Sequence, residues 1–392
     1  MLTTTGEKCG IARYTRDLVA GLHTLPDVSV DVVPICEGKQ PVTHYREQAR
    51  RLNAPDVDVV HIQHEYGFWG SILPGRWAYW ELRYLIEKPV VLTAHTTLSL
   101  PELLHLRTER RPLQWLAKQW LLHNRSYRDG VEIAPFVTAC TIVHTRAARE
   151  ELIRRGAKPA YLTVVPPGVP DPLPAPTGGQ AFRERFGLGD RTLLTLFGFI
   201  TPNKGYELTL SILPDLPPGT TLVIAGGART EAHAPYQAAL ERQIARMGLQ
   251  NRVVITGFLT DTEVAEAMAA SEIVLVPHTQ ATSSYSVTLP LAHGRPILAS
   301  DLDCFREINE RLECLALFPS GDAPRYREVL LALLASPDRR ATLAQKAREY
   351  ARRHSWPAVA ASTRRVYEAA IHVYTSGPRH PQIRLPEDPR NL

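Results

Sequence analysis

Pro166-Pro167-Gly168-Val169-Pro170-Asp171-Pro172, followed by Pro174, Pro176, Gly178 and Gly179, divides the chain into two stretches of similar design. Proline fixes φ and removes a backbone donor, so this run continues neither a helix nor a central strand. It reads as a linker. On both sides of it, short apolar runs alternate with helical patterns, which is the mark of parallel α/β architecture. Before the linker, strands are expected at residues 28–35, 57–62, 89–94, 136–143 and 160–165, with amphipathic helices at 11–22 and 145–155. After it, strands are expected at 192–197, 220–225, 252–256, 272–276, 296–299 and 314–318. Each half is then a Rossmann-like sheet. The domains expected are 1–168, a linker over 169–190, 191–355, a helix over 356–375 and a polar tail over 376–392.

The length of 392 residues suits two ordinary domains better than one core. With 44% hydrophobic and 22% charged residues the composition is that of a soluble globular protein. No apolar run approaches the roughly 20 residues that cross a bilayer. The start, Met1-Leu2-Thr3-Thr4-Thr5, lacks the apolar stretch of a secretory signal. A cytoplasmic protein, peripheral at most on the inner face of a membrane, is expected. Only the stretch Met1–Thr4 is available before the loop at 6–10, too short for a complete opening strand. Either that strand is truncated or the true start lies upstream of Met1, and the second reading is preferred.

The five cysteines (Cys9, Cys36, Cys140, Cys304 and Cys314) are scattered without metal-ligand spacing, which argues for reduced structural thiols and against a zinc site. A net charge of +5 favours anions, but the basic residues are spread along the chain and no nucleic-acid module is visible. Nucleic acid is not an expected partner.

Ligands of open α/β sheets bind beyond the carboxyl ends of the strands. In the first half those positions hold His64-Glu65-Tyr66-Gly67, His95-Thr96-Thr97 and His144-Thr145. Scattered histidines are usually structural, but three at equivalent strand ends would be gathered by one crevice. Thr145 also reads as a simple helix cap. Cys9-Gly10-Ile11-Ala12-Arg13-Tyr14 opens a helix whose free N–H groups suit a diphosphate, or else is only a tight turn. In the second half, Phe197-Gly198-Phe199-Ile200-Thr201-Pro202-Asn203-Lys204-Gly205 places a lysine where it can reach a phosphate. Gly257-Phe258-Leu259 and Pro277-His278 end later strands. Ser283 and Ser284, in a hydroxyl-rich helix start, are candidates for holding a diphosphate or sugar, the other reading being a well-capped helix.

With these residues in order, the chain resembles the retaining glycosyltransferases of family 4 from about Gly10 to Tyr367. Residues 9–18 are similar to the opening donor loop and helix of bacterial members, and Ile62-Gln63-His64-Glu65-Tyr66-Gly67 to the H-E-Y-G signature of one subgroup. Leu92-Thr93-Ala94-His95-Thr96-Thr97, Phe197-Gly198-Phe199 with Lys204-Gly205, and Gly294-Arg295-Pro296 with Ala299-Ser300-Asp301 complete the set. The resemblance implies a GT-B fold, two Rossmann-like domains facing a central cleft. It further implies a nucleotide-sugar donor, UDP- or GDP-linked, held mainly by the second domain, an acceptor held mainly by the first, and no cofactor or essential metal. It assigns His95 to the transferring sugar, Lys204 to the donor phosphates, and the last helix to a crossing back onto the first domain. Gly10, Gly257, Phe258, Ser283 and Ser284 would line the donor, and His64, Glu65 and Tyr66 the acceptor, which would be a glycan, a lipid-linked sugar or a small molecule.

Three positions depart from the family pattern. Phe199 stands where an arginine usually follows the glycine, and Ala281 and Leu289 stand where two glutamates usually face the donor. Hydrogen bonds to charged groups are worth about 1.5–3 kcal/mol each, so substitutes are needed, and Ser283, Ser284 and Arg295 are nearby. The rival expectation is a catalytically silent GT-B partner that binds a sugar or nucleotide; a third is a GT-B epimerase. Separately, Leu113, Leu116, Trp120 and Leu121 share a helical face flanked by Arg110, Arg111, Lys118 and Arg125. Residues 110–125 therefore read either as a peripheral membrane contact or as ordinary core packing.

Overall fold

A computed structural model describes the chain apart from residues 7–8, 37, 39, 71–77, 98–119, 121–122, 138, 229–230, 282–284 and 377–392. The two series of apolar runs form two six-stranded sheets. The first contains β1 (Leu2–Thr3), β2 (Val33–Pro34), β3 (Val60–His64), β4 (Val90–Ala94), β5 (Cys140–Val143) and β6 (Leu162–Val164), in the order β2-β1-β3-β4-β5-β6. The second contains β7 (Thr192–Phe197), β8 (Thr220–Ala225), β9 (Val253–Ile255), β10 (Ile273–Val276), β11 (Ile297–Ser300) and β12 (Ala316–Phe318), in the order β12-β11-β10-β7-β8-β9. Neighbouring strands pair in parallel throughout, as βαβ crossovers require. The chain falls into two units, Met1–Pro166 with Trp356–Leu392, and Pro167–Ser355.

Several boundaries differ from the expectation, each for a local reason. The expected strand over 28–35 contributes only Val33–Pro34, at the edge of the sheet, where proline needs no ladder donor. The apolar run over 136–143 divides into a short helix, Ala134–Val137, and the strand Cys140–Val143. Phe136 is fully buried from the helix, and periodicity alone does not separate a buried turn of helix from a strand. The opening residues are a short strand: Leu2 pairs with both Val33 and Ile62, between β2 and β3.

The proline-rich stretch is not all linker. Gln180–Arg185 is helical, and Phe182 packs on Leu193, Val223 and Ala267. The segment before this helix is tied down by Glu266 of the Asp261–Ala270 helix, whose carboxylate accepts from the Thr177 hydroxyl (2.6 Å), the Thr177 N–H (2.8 Å) and the Gly179 N–H (2.6 Å). The last helix, Trp356–Ser376, packs within the first unit against the Gly10–Leu22 helix. Gly21 permits this close approach, because a Cβ there would lie 2.8 Å from the Trp356 carbonyl oxygen.

The bonds from Thr177 hold the Glu266 carboxyl below its ordinary range. A depressed folded-state value contributes stability that is present above the unfolded carboxyl pKa and is lost as pH falls through the folded one. Acid-titrated thermal melts should therefore show Glu266→Gln less stable than wild type at neutral pH, with the gap closing as pH falls into the carboxyl range. A gap that stays constant with pH would show that the carboxylate charge contributes nothing.

Candidate active site

In the first unit β3, β4 and β5 are neighbours, with His64 paired to Ala94 and Ala94 to Val143. That register brings the residues just past the strand ends together at one carboxyl edge. His95 bonds through Nε2 to Gln63 Oε1 (2.9 Å) and through Nδ1 to His144 Nε2 (3.4 Å). His144 Nδ1 lies 3.0 Å from the Val165 carbonyl oxygen, to which it donates. Tyr14 of the Gly10–Leu22 helix stands edge-on to His95, with ring centroids 4.9 Å apart, and 5.2 Å from His144. Burial holds His95 well below the ordinary imidazole value, with the neighbouring histidines adding to the effect. It lowers His144 as well.

His64 is placed differently from the sequence expectation. Its ring is 0% exposed and surrounded by Tyr66, Trp69, Tyr79 and Phe136. Trp69 Nε1 donates to His64 Nδ1 at 3.1 Å, and burial lowers its pKa to about 3. Tyr66 belongs to the same apolar core. As the last residue of a strand buried on both faces, His64 turns into the protein, and neither it nor Tyr66 presents a side chain to an acceptor. Glu65 does remain half-buried at the edge, where its Oε2 accepts from the Thr96 hydroxyl at 3.0 Å. Gly10 is exposed in the first turn of its helix, and a Cβ there would meet nothing within 4 Å. Packing does not demand glycine at that position.

The second unit gathers different chemistry at its carboxyl edge. Lys204 ends a short 3-10 turn, Pro202–Lys204, rather than opening the following helix, Tyr206–Ile212. Its ammonium Nζ donates to the carbonyl of Phe197, the last residue of β7, at 3.1 Å. Burial lowers the lysine to about 8. Gly205 then adopts φ +71°, and a Cβ there would collide with the Pro277 carbonyl after β10. His278, on the same loop, is buried and held at about 3 by desolvation and then by the Lys204 charge. Asn203 Nδ2 donates to the Gln280 carbonyl and its own carbonyl accepts from Thr279 N–H, which joins the two loops.

The departures from the family pattern have structural consequences. Phe199 meets Phe258 edge-on with centroids 6.0 Å apart. Phe258 itself is 49% exposed, following Gly257 at φ +70°. Leu289 is 3% exposed and packs with Val264, Met268 and Val274. Its burial stabilises by about 1.5–3 kcal/mol, and a carboxylate in that cluster would lie unsolvated. Ala281 is half-buried. Arg295 cannot replace a missing donor-facing group, because it precedes β11 and donates to the Ser271 carbonyl before β10, at the amino ends of the strands. Ser283 and Ser284 lie outside the described residues.

Sequence reasoning missed Gln63, His61 and Tyr367, which extend the His95 contacts into the domain. Gln63 Nε2 lies 3.3 Å from His61 Nε2, which also meets Thr93 Oγ1 at 2.7 Å, while His61 Nδ1 meets Tyr367 OH at 2.7 Å. The available signal was alternation: His61 and Gln63 share one face of their strand and Val60 and Ile62 the other. Among the described residues, no group of three or more His, Cys, Asp or Glu could hold a metal ion, and no helix is long and apolar enough to cross a membrane. Of the stretch 110–125, Trp120 is described and 54% exposed, Asn124 caps the Arg125–Glu132 helix, and residues 110–119, 121 and 122 lie outside the described residues.

Comparison with known proteins assigns both halves. Residues 24–168 match the glycosyl transferase 4-like domain, and residues 180–350 match the glycosyl transferases group 1 family. A D-inositol 3-phosphate glycosyltransferase of Xylanimonas cellulosilytica is 31% identical over 62% of this chain and 59% of its own length, so this chain spans under two thirds of that relative. Among solved structures, the Anabaena protein HepE in complex with UDP-glucose superposes with a TM-score of 0.70 at 18% identity, over 94% of this chain and 98% of that one. Sucrose-phosphate synthase of Thermosynechococcus elongatus gives 0.71 at 18% identity, over 96% and 99%. At such identities the likeness establishes the fold, two Rossmann-like α/β domains.

A lysine lowered to about 8 is partly neutral in mildly alkaline solution, and an anion placed against it restores its charge. Binding of inorganic pyrophosphate near pH 8.5 (roughly, just above the lysine value) should therefore take up a proton at Lys204. Calorimetry in two buffers of different ionisation enthalpy reads this uptake directly, and Lys204→Met should abolish it. Equal uptake in the variant would move the anion site elsewhere.

Proposed function

We propose that this chain, whose two halves match a glycosyl transferase 4-like domain and the glycosyl transferases group 1, moves a hexosyl group from a nucleotide-diphosphate sugar to an acceptor hydroxyl. Transfer proceeds with retention of configuration and without a metal ion. The observation that carries this reading is the Lys204 ammonium, desolvated at a strand end and bonded, among the described residues, to a neutral carbonyl. Such a cation is suited to the negative charge that develops on a departing diphosphate.

In this mechanism the bond between the anomeric carbon and the diphosphate oxygen breaks while Lys204 takes the place of solvent around the leaving group. The acceptor hydroxyl attacks on the same face, forming the new glycosidic bond. Its proton passes to the departing phosphate oxygen, so no strong protein base is needed. His95 steadies the transferring sugar. Both its ring nitrogens have partners within the domain, and the longer link, 3.4 Å to His144, is the one a sugar hydroxyl would exchange. Glu65, held by Thr96, orients the acceptor hydroxyl. Gly10, Gly257 and Phe258, with Ser283 and Ser284, complete the donor contacts.

The donor class is supported by the UDP-glucose held by the Anabaena protein, and an inositol phosphate acceptor by the name of the Xylanimonas relative. Uridine and guanosine donors remain equal in this reading. The acceptor is a glycan, a lipid-linked sugar or a small polyol phosphate.

Labelled UDP- and GDP-sugars, offered with inositol phosphate, phosphatidylinositol and glycan acceptors, test the proposal. One donor should be transferred, in the presence of EDTA, to give a product whose anomeric proton matches the donor configuration. Lys204→Ala should lower kcat by about 10²–10³-fold, the loss typical of one stabilising donor, and His95→Ala should also impair transfer. Near wild-type transfer by both variants would overturn the assignment. Donor binding with no turnover against any acceptor would instead indicate a silent sugar-binding partner.

A further inference from the structure

Arginines close several turns at the amino edge of the second sheet. Arg183 donates to the carbonyls of Gly189 (2.8 Å), Arg191 and Ala270 (each 3.0 Å). Arg340 donates to those of Leu333 (2.6 Å) and Leu334 (2.7 Å) and pairs with Glu272 Oε1 at 2.7 Å. Guanidiniums used in this way serve the fold. Arg295 and Arg348 differ. Arg295 donates through Nη2 to the Ser271 carbonyl, while its buried Nε–H has no acceptor among the described residues. Arg348 reaches the Gly294 carbonyl at 3.5 Å, beyond the ordinary length of a hydrogen bond. Neither forms an ion pair with a carboxylate among the described residues, and Glu272, the acid that acts on Arg295, is paired with Arg340.

The fold nevertheless keeps these two charges together. Gly294 has φ +57°, and a Cβ there would lie 2.6 Å from both Cγ and Nη1 of Arg348. Glycine thus lets the Arg348 side chain cross the residue before Arg295. Burial lowers Arg295 below the ordinary guanidinium value; Glu272 opposes the shift and Arg348 adds to it. His293 is lowered by burial and then by Arg295, so it stays neutral and offsets neither charge. On the Pro337–Arg353 helix, Arg340, Ala344 and Arg348 follow at four-residue spacing along one face, and Ala344 adds no bulk between the arginines. Like charges held close without enough counter-charge cost free energy that a bound anion returns.

We propose that Arg295 and Arg348 form a second anion site, at the amino edge of this sheet, that takes a small oxyanion of the phosphate class. The Nε–H and one Nη–H of a guanidinium make a fork that grips two oxygens of such an anion. Arg295 is half-buried and forms the floor; Arg348 is exposed, leaves its long bond to Gly294 to admit the anion and closes over it. The site lies at the opposite ends of the strands from Lys204, which follows the carboxyl end of β7. It is therefore separate from the donor contacts and does not depend on the glycosyl-transfer reading.

NMR of arginine-labelled protein titrated with inorganic phosphate tests the site, with the Nε–H signals assigned through their loss in Arg295→Lys and Arg348→Lys. Phosphate should shift both signals along one saturating curve. Sulfate should compete, and chloride at equal ionic strength should not. Arg348→Ala, a change on an exposed helix face, should weaken phosphate at Arg295 by about tenfold, the worth of one charge-assisted hydrogen bond. Arg348→Gln, which keeps most of the stem and loses the charge, should behave alike. Lys204→Met should leave the Arg295 curve unchanged. No saturating shift at Arg295, or a shift equally tight in both Arg348 variants, overturns the proposal. So does an Arg295 response that disappears in Lys204→Met, since the phosphate would then sit at the other edge of the sheet.

Discussion

A half-buried, desolvated ammonium needs more than one neutral partner. Lys204 donates to the Phe197 carbonyl and is lowered to about 8 because that single dipole does not replace the water it has lost. An anion within hydrogen-bond distance would restore the charge and strengthen both interactions, since charge-assisted bonds are roughly twice as strong as neutral ones. The surrounding geometry serves this one contact. β7 ends at the carbonyl that receives the ammonium, and the left-handed Gly205 lets the turn carrying the lysine close against Pro277. The Asn203 contacts with Thr279 and Gln280 fix that turn to the loop after β10.

The first unit is built on the opposite principle. Its carboxyl edge concentrates histidines, yet burial keeps them neutral, and their hydrogen bonds run to each other, to a glutamine, to hydroxyls and to backbone. Such a network orients groups without adding charge. It also reaches the closing helix, through His61 and Tyr367, and that helix is seated by the close approach at Gly21. The two units thus hold different chemistry at their carboxyl edges: a desolvated cation in one, neutral and oriented polar groups with one carboxylate, Glu65, in the other.

Much of the architecture was legible because parallel strands are apolar runs with short bounds. Thr192–Phe197 and Thr220–Ala225 fall where the pattern places them, since both are flanked by turn residues, the second buried throughout and the first at all but its two end residues. The pattern failed where an apolar run held two elements, as at Phe136 and Cys140, and at the sheet edge, where Val33–Pro34 is all that pairs. It also failed inside the proline-rich stretch, where Gln180–Arg185 is helical because Phe182 has a core to enter and Glu266 anchors the approach. The residues at strand ends were legible as a set, but their directions were not. His64 is the last residue of β3 while His95 lies one residue past the end of β4, and His64 turns into an aromatic cluster while His95 joins the polar chain. Arg295 looked available from its spacing, and only the sheet shows it at the amino ends of the strands.

The central claim, that Lys204 is held for an anionic leaving group, is met most directly by a crystal structure with UDP or GDP bound. The account predicts Nζ reaching a phosphate oxygen as well as the Phe197 carbonyl, at about 2.7–2.9 Å, the length of a charge-assisted bond. A diphosphate seated elsewhere, with no phosphate oxygen at Nζ, would contradict it.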